Sequence, residues 1–289
     1  MGPLADPVII NPAYTGLDNC KRLTINFKNN FYSDIGTGSF TSGIKNTTAG
    51  FALVVLNQME GKSINTFELK GIFSKKITIK PLHILNLAFE SSFIRQNINT
   101  SHLIYRHMIN PIAGTVSLSG AGYNYPPVTL TDFAAGLIYY TPRYRTGFSI
   151  KHMSGFYNKI EQINNIPEAQ FHFGYSFSMQ TKYSKVKKII IPELFVQYKD
   201  NNLRFRYGVS LYSNYLSAHI FAEHSTFQTV GYNVGWQYLF NKLSIGYTYN
   251  MTMNKYLFNP IHSHQVKIGY KYGCIEKRNK KNTIFCTSF

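Results

Sequence analysis

Residues 230–251 read Val230-Gly231-Tyr232-Asn233-Val234-Gly235-Trp236-Gln237-Tyr238-Leu239-Phe240 and, two residues on, Leu243-Ser244-Ile245-Gly246-Tyr247-Thr248-Tyr249-Asn250-Met251. In both runs apolar or aromatic side chains alternate with Gly, Ser, Thr, Asn or Gln. Successive side chains of a strand point to opposite faces, so this period of two marks strands with one apolar and one polar face. The rhythm extends outward. Phe171, Phe173, Tyr175, Phe177 and Met179 carry it, then Leu203, Phe205, Tyr207, Val209 and Leu211, then Val266, Ile268, Tyr270 and Tyr272. The first half is noisier. Leu23, Ile25 and Phe27 alternate with Thr24, Asn26 and Lys28, and strand candidates follow at 35–45, 47–59, 64–79, 82–98, 132–141 and 144–153. Residues 187–199 and 216–226 complete a set of about 14 strands of roughly 9–12 residues, the length of a tilted membrane span. Residues 99–131, with Asn110-Pro111, Tyr125-Pro126-Pro127 and several glycines, break the rhythm and read as a long extracellular loop.

Composition narrows the class. The 289 residues are 16% aromatic, with 22 Tyr, 22 Phe and one Trp, and only 15% charged. That is too aromatic and too sparsely charged for disorder. No stretch approaches the ~18 consecutive apolar residues of a spanning helix. A soluble sandwich would bury the aromatic face, but here that face is aromatic along its length, with Tyr toward strand ends as in interfacial girdles. The expected fold is therefore all-β, a transmembrane antiparallel β-barrel of about 14 strands. The expected divisions are an N-terminal periplasmic segment (1–20), the barrel (21–273) and a basic C-terminal tail (274–289). Met1-Gly2-Pro3-Leu4 offers neither a basic n-region nor an apolar h-region, so an exported protein would be read here in a mature form or from an added Met.

The net charge of +17 comes from 30 Lys and Arg against 13 Asp and Glu. Nucleic acid is the usual partner of such a surplus, but it does not account for 14 amphipathic strands without a nucleic-acid fold signature. Lys28, Lys151, Arg204, Arg206, Lys267 and Lys271 all fall on the polar parity of their strands. In a barrel they point into the lumen, either as a basic channel attracting an acidic peptide or anion, or as a solvated wall paired to the few acids. Lys182, Lys185, Lys187 and Lys188 read as a charged turn near anionic headgroups. Lys277, Arg278, Lys280 and Lys281 form a second basic cluster in the tail.

The N-terminal run Asp6-Pro7-Val8-Ile9-Ile10-Asn11-Pro12-Ala13-Tyr14-Thr15-Gly16 resembles the opening signature of the PorP/SprF family. Asp132–Tyr140 with Tyr144–His152, Leu243–Tyr249 and Ser263–Tyr270 resemble its middle strand pair, penultimate strand and last strand. Members usually carry a Gln-Phe-Ser-Gln-Tyr-like stretch before the signature, where this chain has only Met1–Ala5. The resemblance implies an outer-membrane barrel of Bacteroidota associated with the type IX secretion system, with no known catalytic residues. An even strand count puts both termini on one side, which in bacterial barrels is the periplasm. The resemblance implies as partners a secreted cargo protein, notably an adhesin with a type B C-terminal domain, periplasmic or outer-membrane secretion components, and outer-membrane lipid. It also favours a disulfide between Cys274 and Cys286, because many members carry two tail cysteines. Cys20 with Cys274 stays open as a pairing, since barrel closure would make the first and last strands neighbours.

Within the signature, Asn11 precedes a proline and is pushed to extended backbone, Gly16 permits a turn, and Tyr14 can fill a site with its ring. Asn11, Pro12, Tyr14 and Gly16 thus read either as a structural turn before the first strand or as a periplasmic element that docks a partner or plugs the barrel floor. His262 and His264 lack flanking Cys or carboxylate, so no metal or cofactor is expected. His152 and Ser154 hint at a hydrolase, but no carboxylate lies nearby in sequence to orient the His. The expected role is non-enzymatic: translocation partner or surface anchor for a type IX cargo, with a passive or anion-selective pore as the alternative.

Overall fold

The computed structural model describes residues 6–17, 20–30, 32–44, 48–61, 63–99, 126–156, 165–179, 188–226, 229–254 and 257–274. Its strands are β1 Lys21–Asn30, β2 Ser33–Gly43, β3 Ala49–Glu60, β4 Ile64–Lys80, β5 His83–Ile98, β6 Val128–Tyr140, β7 Tyr144–Lys151, β8 Glu168–Tyr175, β9 Phe177–Met179, β10 Lys188–Lys199, β11 Asn202–Tyr212, β12 Leu216–Ser225, β13 Thr229–Phe240, β14 Leu243–Asn254 and β15 Leu257–Tyr272. Each pairs antiparallel with its neighbours. β8 and β9 both pair with β10 and form one span broken at Ser176, which leaves a ring of 14 staves among the described residues. β1 closes the ring on β15, from Lys21 opposite Tyr272 to Asn30 opposite Ser263. Full closure leaves no sheet edge, as a membrane-spanning sheet requires.

The alternation read from the sequence is an inside-out one. On β1, Leu23, Ile25 and Phe27 are 45%, 57% and 52% exposed, whereas Thr24 and Asn26 between them are 2% and 3% exposed. The apolar face surrounds the ring and the polar face lines it, the arrangement that lipid outside and polar groups inside select.

Two differences from the sequence reading have local causes. β6 starts at Val128, inside the segment read as loop, because Val128-Thr129-Leu130-Thr131 pairs with Phe93–Gln96 of β5. β15 starts at Leu257, well before Gln265, because its first residues pair across the β14 hairpin. Connections at the rim where the chain enters and leaves are short between β4 and β5, β6 and β7, β11 and β12, and β13 and β14. The opposite rim carries the two longest connections, 99–127 and 152–167. A tight turn there, Asp200-Asn201, has both residues at positive φ (49° and 58°), the left-handed pair that a two-residue hairpin needs.

Residues 6–17 do not stand apart from the barrel as a periplasmic segment, which corrects the expected division at residue 20. They enter the lumen, where Val8, Ile9 and Ala13 pack with Ala52, Val54, Ile72, Ala88, Ile138 and Tyr140 of the wall. Their apolar side chains leave water by entering a barrel whose facing wall is itself apolar. The Cys274–Cys286 pairing is also corrected. Cys20 and Cys274 are bonded, with Cα atoms 4.0 Å apart, because the closure register sets Lys21 opposite Tyr272 and so places the two cysteines just past the end of the seam. Cys286 and the basic residues 277–281 lie outside the described residues, as do 180–187 with Lys182, Lys185 and Lys187.

Candidate functional site: the filled lumen

The inner segment is built from two short capped turns. Asp6 precedes Pro7, and its Oδ1 accepts from Val8 N–H at 3.3 Å, which starts a single helical turn, Pro7–Ile10. Asn11 precedes Pro12, and its Oδ1 accepts from Ala13 N–H at 2.9 Å, which starts the 3-10 turn Pro12–Tyr14. A side-chain acceptor followed by proline is a helix-start signal used twice in succession. Gly16 leaves the turn at φ 69°, and a Cβ there would come within 2.7 Å of Gly50 Cα on β3. Both glycines are required for that approach.

The wall holds this knot through specific donors. Asn11 Nδ2 donates to the backbone carbonyls of Leu137 (3.3 Å, β6) and Phe148 (3.1 Å, β7). Asn86 Nδ2 on β5 donates to the carbonyls of Ala13 and Thr15 at 2.6 and 2.9 Å, and Ser74 Oγ on β4 donates to Thr15 O at 2.8 Å. Lys76 Nζ donates to Leu17 O at 3.1 Å and Lys151 Nζ to Ile9 O at 2.6 Å. Ser39 Oγ on β2 donates to Asp6 Oδ2. Tyr14 stacks on His172 of β8, ring centroids 5.3 Å apart, with its hydroxyl 2.9 Å from His172 Nε2. Pro12 rests against Gly136, where a Cβ would meet Asn11 Oδ1 at 2.2 Å. The four signature positions Asn11, Pro12, Tyr14 and Gly16 therefore all touch the wall. Asn86, Ser74, His172 and Gly136 were not singled out from the sequence. Each is a polar or small residue on an interior parity, a weak signal until the segment it contacts is known.

The basic residues do not form one patch. Lys151, Arg204 and Arg206 line a cavity of about 310 Å³ beyond Ile9 and Ile10, together with Glu68, Lys70, Glu168 and Glu223. Its charges are largely matched. Arg206 donates through Nε (3.0 Å) and NH2 (2.7 Å) to Glu223 Oε2, and Lys70 lies 2.9 Å from Glu68 and 3.2 Å from Glu90. Lys28 is half-buried on the interior parity of β1. Lys267 and Lys271 line a separate cavity of about 260 Å³ at the entry rim, with Arg22 and Lys242.

His262 and His264 point outward, their Nδ1 atoms 2.5 and 2.7 Å from the Tyr249 and Tyr247 hydroxyls. The barrel does bring a carboxylate to His152, which sequence proximity did not show. Asp132 on β6 lies 2.7 Å from His152 Nδ1 through Oδ2. Ser154 Oγ, however, donates to Asp132 Oδ1 at 2.7 Å, and Ser154 N–H donates to the same oxygen at 3.1 Å. The serine is bonded to the acid instead of the imidazole, so the three residues pin the chain after β7 and are not arranged as a nucleophile, base and orienting acid.

The family described as "Type IX secretion system membrane protein PorP/SprF" matches residues 4–270. No curated protein matches the chain by sequence. Among solved structures, the CymD monoaromatic hydrocarbon channel superposes with a TM-score of 0.52 at 9% identity, over 94% of this chain and 93% of that one. CdiB from Acinetobacter baumannii gives 0.51 at 9% identity, over 88% of this chain and 60% of that one. The outer membrane protein Omp33 of Acinetobacter baumannii gives 0.49 at 9% identity, over 89% and 100%. At such identities the likeness concerns the fold, an outer-membrane β-barrel.

Proposed function

Because the chain belongs to the PorP/SprF family of type IX secretion system membrane proteins, we propose that it is a translocation partner or surface anchor for a secreted cargo, such as an adhesin with a type B C-terminal domain. The observation that carries this reading is the hold of β2 and β4–β8 on residues 6–17. A lumen filled by its own N-terminus suits a rigid membrane scaffold better than an open pore. The rim with the long connections 99–127 and 152–167 faces outward and presents the cargo-binding surface, resting on loop backbone, aromatic anchors and charge complementarity. The entry rim, where Cys20 and Cys274 lie, faces the periplasm and the periplasmic secretion components. The barrel acts without catalysis, which accords with Ser154 being bonded to Asp132.

The test is capture of a type B C-terminal domain by the folded, full-length barrel, with bilayer conductance measured on the same preparation. A stoichiometric complex and electrical silence are expected. A steady anion current with no capture would replace the anchor with the pore reading.

A further inference from the structure

We propose that the notch between β7 and β9 at the entry rim takes up an extended segment of a periplasmic protein as an added strand. β8 runs level with β7 as far as Tyr175, opposite Tyr144. The register on β10 continues unbroken past that point, with Glu193 opposite Gly174 and Ile190 opposite Phe177, so β9 prolongs the same stave. β7 does not follow. Ser176 N–H donates to Arg143 O in the β6–β7 turn at 2.5 Å, and past this bond no strand pairs with that edge of β9 among the described residues. Ring closure covers every edge within the span, and this edge lies beyond it. Backbone groups alternate along a strand, so Ser178, two residues after Ser176, turns its N–H and C=O to the same open side. Natural edges are usually blunted by Pro, Lys or a bulge, and Phe177-Ser178-Met179 carries none of these.

Two further features point to a polypeptide. A cavity of about 350 Å³ lies in the notch, lined by Thr141, Ser176 and Ser178 and by the buried Ile189 and Ile191 of β10. An added strand would lower every second side chain into it, and this lining suits small β-branched residues, Val or Thr. The alternate side chains would lie against Phe177 and Met179, which are 52% and 59% exposed. Tyr144 and Tyr175, with Tyr139 at 5.9 Å from Tyr144 between ring centroids, mark the headgroup level here. Phe177 and Met179 follow about 7 and 13 Å of strand beyond Tyr175, past the aromatic girdle. Apolar side chains outside the lipid and beside an open edge call for a protein cover. The flanks are cationic. Arg143 in the β6–β7 turn and Lys188 opposite Met179 stand exposed at the two ends of the edge. The occupant is therefore a segment rich in small β-branched residues, with an acidic residue at each end.

The inference rests on the proposed placement of the entry rim in the periplasm, not on the cargo reading. Binding in detergent does not depend on which way the rim faces, so failure there counts against the notch alone. External staining of a C-terminal tag counts against the orientation alone. The test uses the oxidised full chain folded in detergent and a fluorescent, end-blocked peptide, Asp-Val-Thr-Val-Thr-Val-Asp. Saturable binding is expected, with slowed hydrogen exchange at the Ser178 amide, which should exchange fast in the free chain. N-methylation of the three valines, or of the two threonines, silences alternate backbone N–H groups of the peptide. One set should weaken binding at least about fivefold and the other should not, because only one set faces β9. Ser178→Pro, which removes the open N–H where an edge strand tolerates proline, should weaken it likewise. The methylated peptides decide the matter if that variant fails to fold. Absence of saturable binding, or equal effects of the two methylated sets, overturns the proposal. So does a Ser178 amide already slow in the free chain, since the chain would then cover its own edge. Self-association that Ser178→Pro abolishes would give the edge to a second copy and overturn the occupant.

Discussion

Asn11 commits its whole amide to holding the inner segment, accepting from Ala13 N–H and donating to two wall carbonyls. Removing it leaves those groups without their partner around a side chain that is buried, at about 1–3 kcal/mol. Asn11→Ala is therefore expected to raise the unseated fraction of the segment roughly 5- to 150-fold. The readout is bilayer conductance, with more frequent openings than the wild type. Gly136→Val should go further, since any Cβ there collides with Asn11 Oδ1. Its barrel should fold with the segment displaced, which limited proteolysis of residues 6–17 would register. An unchanged current and protease pattern in both variants would mean that the wall contacts do not seat the segment. The motif itself was legible as chemistry, because Asn before Pro and a glycine exit are local signals. What those residues touch was not, because their partners lie between 33 and 158 positions away in sequence.

At the scale of the strand, the two halves of the chain differ for one physical reason. β13 alternates cleanly because lipid meets one face and polar interior the other. β3 reads Phe51-Ala52-Leu53-Val54-Val55-Leu56, apolar on both parities, because its outward face meets lipid and its inward Ala52 and Val54 meet the inner segment. The noise in the first half of the sequence is the imprint of that contact. Val234 lies mid-strand on β13 and is 50% exposed on the outer face. Val234→Arg should cost about 2–4 kcal/mol of folding free energy in a bilayer. Arg204→Gln, on the inner face, should cost less than about 1 kcal/mol. Denaturant unfolding in lipid vesicles, followed by the fluorescence of the single Trp236, compares them. Equal costs would reverse the assigned faces.

The whole ring depends on one seam between the first and last strands, and the Cys20–Cys274 bond, spanning 254 positions, crosses it at the entry rim. On the chain-entropy account, closing a loop of that length stabilises by up to about 5 kcal/mol. Reduction, or Cys274→Ser, should thus lower the unfolding temperature, and non-reducing peptide mapping should recover a peptide joining Cys20 to Cys274. A link from Cys274 to Cys286 instead would contradict the pairing. The seam also brings the start of β1 and the end of β15 to one rim. With that rim assigned to the periplasm, a tag placed after Phe289 should stay unstained on intact cells, and bright staining would invert the barrel.

Sequence alone determined the architecture of this protein: a period of two, repeated at membrane-spanning length with an aromatic outer face, admits few folds other than a barrel in lipid. Strand count and most boundaries follow from that rhythm, because alternation is local and every stave must satisfy it. The tertiary structure alone decided where residues 6–17 go, which cysteines pair, and how the six interior basic residues divide. These outcomes depend on which staves closure makes neighbours. Arg22 meets Lys271, and Cys20 meets Cys274, only because the two ends of a chain 289 residues long become adjacent edges of one sheet. Likewise nothing in the sequence marks Arg206 and Glu223, 17 positions apart, as a pair. The β11–β12 register sets the two directly opposite each other and so makes them an ion pair.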